Sequence, residues 1–239
     1  MDVYQVSDIG ALIHDNSYVG RGIVIGKTQD GQKAAVAYFI MGRSENSRNR
    51  VFIENGNDVV IHPFDASKVE DPSLIIYSPI RTLDKKLIVT NGDQTDTVYD
   101  FVKDGKTFSE ALSTRCFEPD APNFTPRISG ILHFSENDFT YQMSILKSGD
   151  ARGTVCNRYT FDFSPLAGLG HFIHTYVCNG DPIPTFQGEP ERVMIPNDID
   201  EFTDLIWNHL NLENRISLYV RFVDLKSGAV ENRMINKNQ

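Results

Sequence analysis

Residues 34–50 read Ala34-Ala35-Val36-Ala37-Tyr38-Phe39-Ile40-Met41 and then Gly42-Arg43-Ser44-Glu45-Asn46-Ser47-Arg48-Asn49-Arg50. The first eight are an unbroken apolar run that reads as a buried strand. It delivers three arginines, two serines and two asparagines to one loop, ahead of a short second strand at Val51-Phe52-Ile53. A guanidinium carries five donors in a planar fork and stays charged, which suits phosphate or carboxylate. With Glu45 as its single acid, the loop is locally cationic. A polar hairpin loop whose arginines pair with surface carboxylates is the plain alternative.

Outward from this stretch, the chain has 239 residues and a net charge of -9, which disfavours nonspecific binding to a polyphosphate backbone. An acidic protein that holds an anion must do so with a few focused arginines. Its length suits one domain with a core that needs no disulfide staple. Cys116, Cys156 and Cys178 are odd in number and lack CxxC spacing, which points to reduced thiols and a cytoplasmic protein. Met1 to Gly10 is polar and lacks the apolar core of a signal peptide, and no apolar run approaches membrane-spanning length. His171 and His174 make an HxxH spacing, which reads as structural rather than metal-binding, and no metal is expected. No Walker loop or dinucleotide fingerprint is present, so neither ATP nor NAD is implied.

In chain order, residues 1–17 read as an N-terminal extension with one short helix on a single domain spanning 1–239. Tyr18 to Gly26 is a glycine-bearing strand, and Lys27-Thr28-Gln29-Asp30-Gly31 is its hairpin turn. Asp58 to His62, an extended piece over Leu74-Ile75-Ile76-Tyr77 and Ile80 to Leu83, and Leu87 to Thr90 continue the strands. Asn91-Gly92 then leads into a helix with Val98, Phe101 and Val102 inward and Asp93 or Thr95 as its cap. A second helix is expected over Thr107 to Phe117, with Phe108, Ala111, Leu112 and Cys116 inward. Arg127–Phe134 and Phe139–Lys147 form a hairpin, and Thr154–Phe163 and Phe172–Val177 add strands. Asp181 to Pro196 reads as a proline-rich surface connection. Asp198 caps a helix to Leu210, and Ile216–Asp224 with Ala229–Ile235 closes the chain as a hairpin. Strands, two helices, strands and a helix argue an α+β sandwich.

Several of these pieces occur in a telling order. Tyr18-Val19-Gly20-Arg21 comes first, then the Arg-Ser loop ending Asn49-Arg50, then Tyr77 after an apolar pair. Asn91-Gly92 with Thr95-Asp96-Thr97 follows, then Glu118, then Thr125-Pro126-Arg127-Ile128. This series resembles the archaeal-type IMP cyclohydrolases and their bacterial relatives, chiefly over residues 18–135. Residues 1–17 and about 148–170 look like additions. The resemblance implies a four-layer αββα sandwich similar to the N-terminal nucleophile hydrolases. True members of that superfamily open their first strand on a freed Ser, Thr or Cys. Here a leader precedes the corresponding strand, so no processed amine nucleophile is expected.

The implied substrate is 5-formamidoimidazole-4-carboxamide ribotide, closed to IMP with loss of water and without a cofactor. Its carboxamide nitrogen attacks the neighbouring formyl carbon, so proximity is built into the substrate. A base, an oxyanion donor and an acid remain for the protein to supply. By the resemblance, Glu118 is the base, desolvated by Phe117 and Pro119. Tyr77 donates to the formyl oxygen. Arg50 meets the oxyanion or the phosphate. Arg21, Arg43 and Arg127, with Ser44, are candidates for the 5′-phosphate. Asn91 and Gly92 stand before a helix N-terminus, where backbone N–H groups hold an anion or carbonyl. Asp96 is read as favouring the helix dipole rather than ribose hydroxyls. Cys116 is read as core, and Arg48 has no assigned role. The alternatives are a non-catalytic purine-nucleotide-binding relative and an amide hydrolase on the same fold, cleaved before Ser17. Partners are thus a purine ribonucleotide, no nucleic acid and no membrane. Self-association into a homo-oligomer is common among purine enzymes of this size.

Overall fold

The computed structural model describes residues 2–69 and 76–238. Strands β1 (Arg21–Lys27), β2 (Lys33–Met41), β10 (Leu169–His174), β11 (Glu191–Met194), β12 (Arg215–Asp224) and β13 (Val230–Asn236) form one sheet, in the order β11-β10-β1-β2-β12-β13. A second sheet holds β3 (Val51–Asn55), β4 (Asp58–His62), β5 (Ile80–Leu83), β6 (Lys86–Thr90), β7 (Arg127–Phe134), β8 (Phe139–Ser148) and β9 (Cys156–Phe163), in sequence order. Every pairing between these strands is antiparallel. The fold is α+β with two antiparallel sheets and few helices.

Strand β2 shows why the sheets stack. Its side chains alternate between two apolar environments, as a period of two requires. Ala34, Val36, Tyr38 and Ile40 enter the core between the sheets, where they meet Ile61, Val89, Leu132 and Met143 of the second sheet. Ala35, Ala37, Phe39 and Met41 enter a second core against helices α1 (Ile9–Ile13) and α5 (Ile199–His209). A strand buried on both faces reads as a continuous apolar run, which explains the absence of polar punctuation. Burying each larger side chain contributes about 1.5–3 kcal/mol. On the far face of the second sheet, Ile88, Ile131 and Leu146 pack against α3 (Gln94–Lys103) and α4 (Phe108–Ser113).

Helix α5 starts where expected, with the Asp198 carboxylate accepting from the Glu201 N–H at 2.9 Å and Phe202 and Ile206 buried. The expected short helix of the N-terminal segment is α1, and its Ile9 and Ile13 are fully buried with Phe202 and Ile206.

Some expectations are corrected. The arginine loop contains a one-turn helix, α2 (Glu45–Arg48), capped by Ser44. Helix α4 ends at Ser113, four residues short of Phe117, so Cys116 lies beyond it and is exposed rather than inward. The proline-rich segment 181–196 contains β11, whose register pairs Leu169 with Met194. Of the extended piece expected at 74–77, Leu74 and Ile75 lie outside the described residues, and Tyr77 precedes β5 without belonging to a strand. Among the described residues no helix is long and apolar enough to cross a membrane.

The topology gathers strand ends. Arg21 opens β1, and Met41 closes the neighbouring β2. Arg50 immediately precedes β3, Asn91 follows β6, and Arg127 opens β7, whose Ser129 pairs with Thr90. All of these lie at one end of the facing sheets.

Candidate active site

Arg21, Arg50, Tyr77, Asn91, Gly92, Asp93, Glu118 and Arg127 line one narrow cleft at that end. Seven of them are residues singled out from the sequence; Asp93 is the addition. The cleft holds about 30 Å³, roughly the share of one water in the liquid. The side chains converge, but the space is not yet that of a mononucleotide.

Arg21 and Arg50 set the electrostatics. The Nε–H of each is buried without a hydrogen-bond partner. Buried charged groups are ordinarily paired, so two unsatisfied guanidinium donors side by side mark a place for an oxygen-rich guest. Burial and the neighbouring Arg21 charge both lower the pKa of Arg50, against Tyr77, Tyr38 and Glu118. For Arg21, burial acts in the same direction, but Tyr18, Glu118, Tyr77 and Tyr176 outweigh it and its pKa is raised.

Glu118 is the counter-charge. Burial pushes its carboxyl above the usual carboxylate range, while Arg21, Arg127 and Arg50 pull it back and Asp120 adds to the rise. Its backbone is fixed by the Glu118 N–H donating to the Thr125 carbonyl at 2.9 Å. Thr125 Oγ1 in turn bonds Asp120 and lies 2.6 Å from Tyr176 Oη. Of the two flanking residues expected to desolvate it, Phe117 is buried and packs edge-on against Phe124, whereas Pro119 is exposed.

Tyr77 is buried, and its hydroxyl lies 3.0 Å from that of Tyr38, which is fully buried. Burial raises both phenols, so both remain protonated at neutral pH. Tyr38 does not line the cleft, and nothing in its apolar run distinguished it from a packing residue.

Asn91 is a structural bracket. Its Oδ1 accepts from the Ile128 N–H at 2.9 Å and from Gln94 Nε2 at 3.0 Å, and its Nδ2 donates to the Pro126 carbonyl at 2.9 Å. The backbone N–H groups of Asn91 and Gly92 donate to the Ile128 carbonyl and Thr90 Oγ1. Both are thus engaged within the protein, against the expectation of an anion hole there. Gly92 leaves room for the Arg127 and Gln94 side-chain ends: a Cβ would lie 2.4 Å from Arg127 Nη1 and 2.6 Å from Gln94 Oε1, so both would have to move. Arg127 itself is held by Gln94 Oε1 at 2.6 Å and Asp93 Oδ1 at 2.7 Å. Of Asp93 and Thr95, the two expected caps, Asp93 stands at the N-cap position, with helical backbone (φ -64, ψ -10) and no side-chain cap hydrogen bond. It bridges Arg127 and Arg115, the latter at 2.5 Å. Burial opposes its charge, but these arginines hold it below the usual carboxylate range.

Two predicted residues stand elsewhere. Arg43 is exposed, donates to Asn179 Oδ1 at 2.6 Å and the Gly180 carbonyl at 2.9 Å, and lies over the Tyr18 ring. Ser44 Oγ accepts from the Ser47 N–H as the α2 cap. The one-turn helix directs both away from the cleft, and only Arg50, where the loop re-enters the sheet, points in. Arg48, unassigned from sequence, donates to the Gly42 carbonyl and Asn214 Oδ1. Asp96 pairs with Arg81 at 2.8 Å, outside the lining. His171 bonds Tyr141 at 2.6 Å, and His174 bonds the Tyr176 carbonyl at 2.7 Å. A larger cavity of about 520 Å³ lies at the opposite end of the sheets, near Lys85, Phe134, Arg221 and Leu225, and carries none of the predicted residues.

Comparison with known proteins gives the family. Residues 18–228 match the family described as IMP cyclohydrolase-like protein. The IMP cyclohydrolase of Methanococcus aeolicus is 32% identical over 166 residues, covering 67% of this chain and 75% of the relative. That of Methanococcus maripaludis is 34% identical over 146 residues, covering 56% and 71%. That of Methanopyrus kandleri is 38% identical over 116 residues, covering 47% and 57%. With its family match spanning nearly the whole length and its strand ends meeting in one arginine-lined cleft, the chain belongs to the IMP cyclohydrolase-like family.

Proposed function

We propose that this protein closes the purine ring of 5-formamidoimidazole-4-carboxamide ribotide to IMP, with the chemistry in the cleft of Arg21, Arg50, Tyr77 and Glu118. The observation that carries this reading is the pair of buried, unpartnered guanidinium donors facing a carboxyl of raised pKa. An anion store would need only the arginines. Acid–base work also needs a proton acceptor poised closer to neutral pH.

The carboxamide nitrogen attacks the formyl carbon, and its departing proton goes to the Glu118 carboxylate. The C–N bond forms, and the formyl C=O becomes a C–O⁻. Arg50 and Arg21 meet that developing charge with donors already in place. Tyr38 donates to Tyr77, which leaves the Tyr77 O–H free to hydrogen-bond the same oxygen and protonate it. The hydroxyl then leaves as water with the proton stored on Glu118. The former formamide N–H gives up its proton to solvent as the C=N bond is completed. Tyr77 recovers its proton from solvent. No covalent intermediate is required, and β1 opens on Arg21-Gly22-Ile23, none of which is a nucleophile.

Because the cleft has room for about one water, the ribotide enters with its reacting edge first and parts the walls around it. Asp93 ties Arg127 and Arg115 into the wall under Gly92. We also read the helices on the outer face of each sheet as the four-layer αββα sandwich of the N-terminal nucleophile hydrolases, supported by the three separate apolar cores. The test of function is direct. Purified protein given the formylated ribotide should produce IMP, and Tyr77→Phe should produce far less. Binding of IMP without turnover would leave only the nucleotide-binding reading.

A further inference from the structure

The segment that carries Glu118 into the cleft also carries a thiol. Cys116 is exposed, two residues before Glu118 and just past the end of α4. Beside that segment runs the edge strand β9, whose first residue, Cys156, is half-buried against the α3–α4 core. Arg158 clamps the two segments together. Its Nη2 donates to the Arg115 carbonyl at 2.7 Å and its Nη1 to the Cys156 carbonyl at 3.3 Å. The Cys156 thiol donates to the Asn157 carbonyl at 3.8 Å and is close enough to the Cys116 thiol for that neighbour to raise its pKa. Neither sulfur has a role in the ring closure above.

We propose that Cys116 and Cys156 are a redox-modification site: a hydroperoxide or a small-molecule disulfide converts them to a disulfide that draws Glu118 out of register. The Glu118 consequence rests on the functional reading above; the thiol chemistry does not.

The order of events follows from exposure. Burial, and then the contact with Cys116, hold the Cys156 thiol above its usual pKa, so it is the poorer thiolate. Cys116 meets the oxidant first. Its thiolate attacks one peroxide oxygen, the O–O bond breaks, and water (or an alcohol) leaves, giving a sulfenic acid. Cys156 then attacks that sulfur, the S–O bond breaks, and a second water leaves. Two electrons pass from the sulfurs to the peroxide, and both thiol protons end in water. With a small disulfide, the same pair closes through a mixed disulfide and releases two small thiols. Closing the bond brings the sulfurs to about 2 Å. Cys156 is anchored in a ladder with β8, so the connecting segment at 116 must give. A shift on the order of 1 Å at a catalytic group costs about 10²-fold in rate.

The test treats reduced, full-length protein with one equivalent of hydrogen peroxide. The intact mass should drop by two hydrogens, and the thiol titre should fall from three to one. Peptide mapping should link Cys116 to Cys156. The ring-closing rate should fall about 10²-fold and return with dithiothreitol. Cys156→Ser and Cys116→Ser should each keep the reduced wild-type rate and become insensitive to peroxide at that dose. Sulfenic acid at Cys116 without a cross-link would overturn the pair. A cross-link with an unchanged rate would overturn its coupling to Glu118. Were the reduced protein to make no IMP, the functional reading would fall, and mass and mapping would still decide the disulfide.

Discussion

Replacing Glu118 by Gln removes the proposed proton carrier while keeping the side chain's shape. General acid–base catalysis contributes about 10²–10⁴-fold. Since Glu118 both accepts the amide proton and returns it to the departing hydroxyl, the loss in kcat should fall in the upper part of that range. The change in KM should be small, because the amide of Gln still fills the same wall. The pH profile gives an independent check. Burial raises the carboxyl's pKa against the pull of three arginines, so the wild-type rate should fall on an acid limb lying above the ordinary glutamate range. In Glu118→Gln that limb should vanish. Stability should move the other way. A carboxyl whose folded pKa is raised binds more protons folded than unfolded, so stability falls as pH rises through the window between the two values. At neutral pH the ionised group is therefore a net cost, and the variant should melt higher than wild type. The assays are initial rates by IMP appearance from pH 4.5 to 9 and thermal melts at neutral pH. A variant within about threefold of the wild-type kcat, or one that kept the acid limb, would refute Glu118 as the proton carrier.

Four further outcomes follow from the same geometry. Tyr38→Phe deletes only the hydroxyl 3.0 Å from Tyr77; kcat should drop about 10-fold with KM unchanged, and little further in the double variant with Tyr77→Phe, as expected for one coupled unit. Arg50→Met should lower kcat by about 10²–10³-fold, the cost of losing an oxyanion donor. It should also raise the melting temperature, because it removes an unpartnered buried charge beside Arg21; a lower melt would show that Arg50 is structural. Gly92→Ala puts a Cβ where the ends of Arg127 and Gln94 now sit; these must shift, and the variant should destabilise by about 1 kcal/mol, the low end of overpacking, a fall of roughly 2–4 °C in a melt. Arg43→Ala removes an exposed side chain outside the cleft, so kcat/KM should stay within about fivefold, the range of a surface pair; a larger rise in KM would bring the arginine loop into the nucleotide site.

The legible parts of the fold were those where one physical signal dominates. The run 34–41 has no polar interruption because both of its faces are buried, and the Asp198 cap and the Asp30-Gly31 turn are local chemistry that tertiary contacts left alone. Strand β11 was hidden because four residues on a sheet edge sit among prolines that read as loop. Helix α4 was overextended because Cys116 continues the apolar spacing past the point where the chain turns toward Glu118. In the site, Arg21, Arg50, Arg127 and Glu118 were readable as an ordered series, yet their direction was not. Adjacent loop residues diverge: Ser44 caps a helix and Arg43 binds Asn179, while Arg50 turns inward. Asp93, read with Thr95 as a possible cap, does sit at the N-cap position, yet its carboxylate bridges two arginines instead of capping, a choice that spacing alone does not reveal. Tyr38 was unreadable because its partner lies 39 residues away.

The most direct test of the account is a structure of the protein with IMP bound. It should place the edge of the purine formed in the ring closure within hydrogen-bonding distance of Arg50, Tyr77 and Glu118, with the walls of the 30 Å³ cleft moved apart. IMP seated instead in the 520 Å³ cavity at the other end of the sheets, with the arginine cleft unchanged, would contradict it.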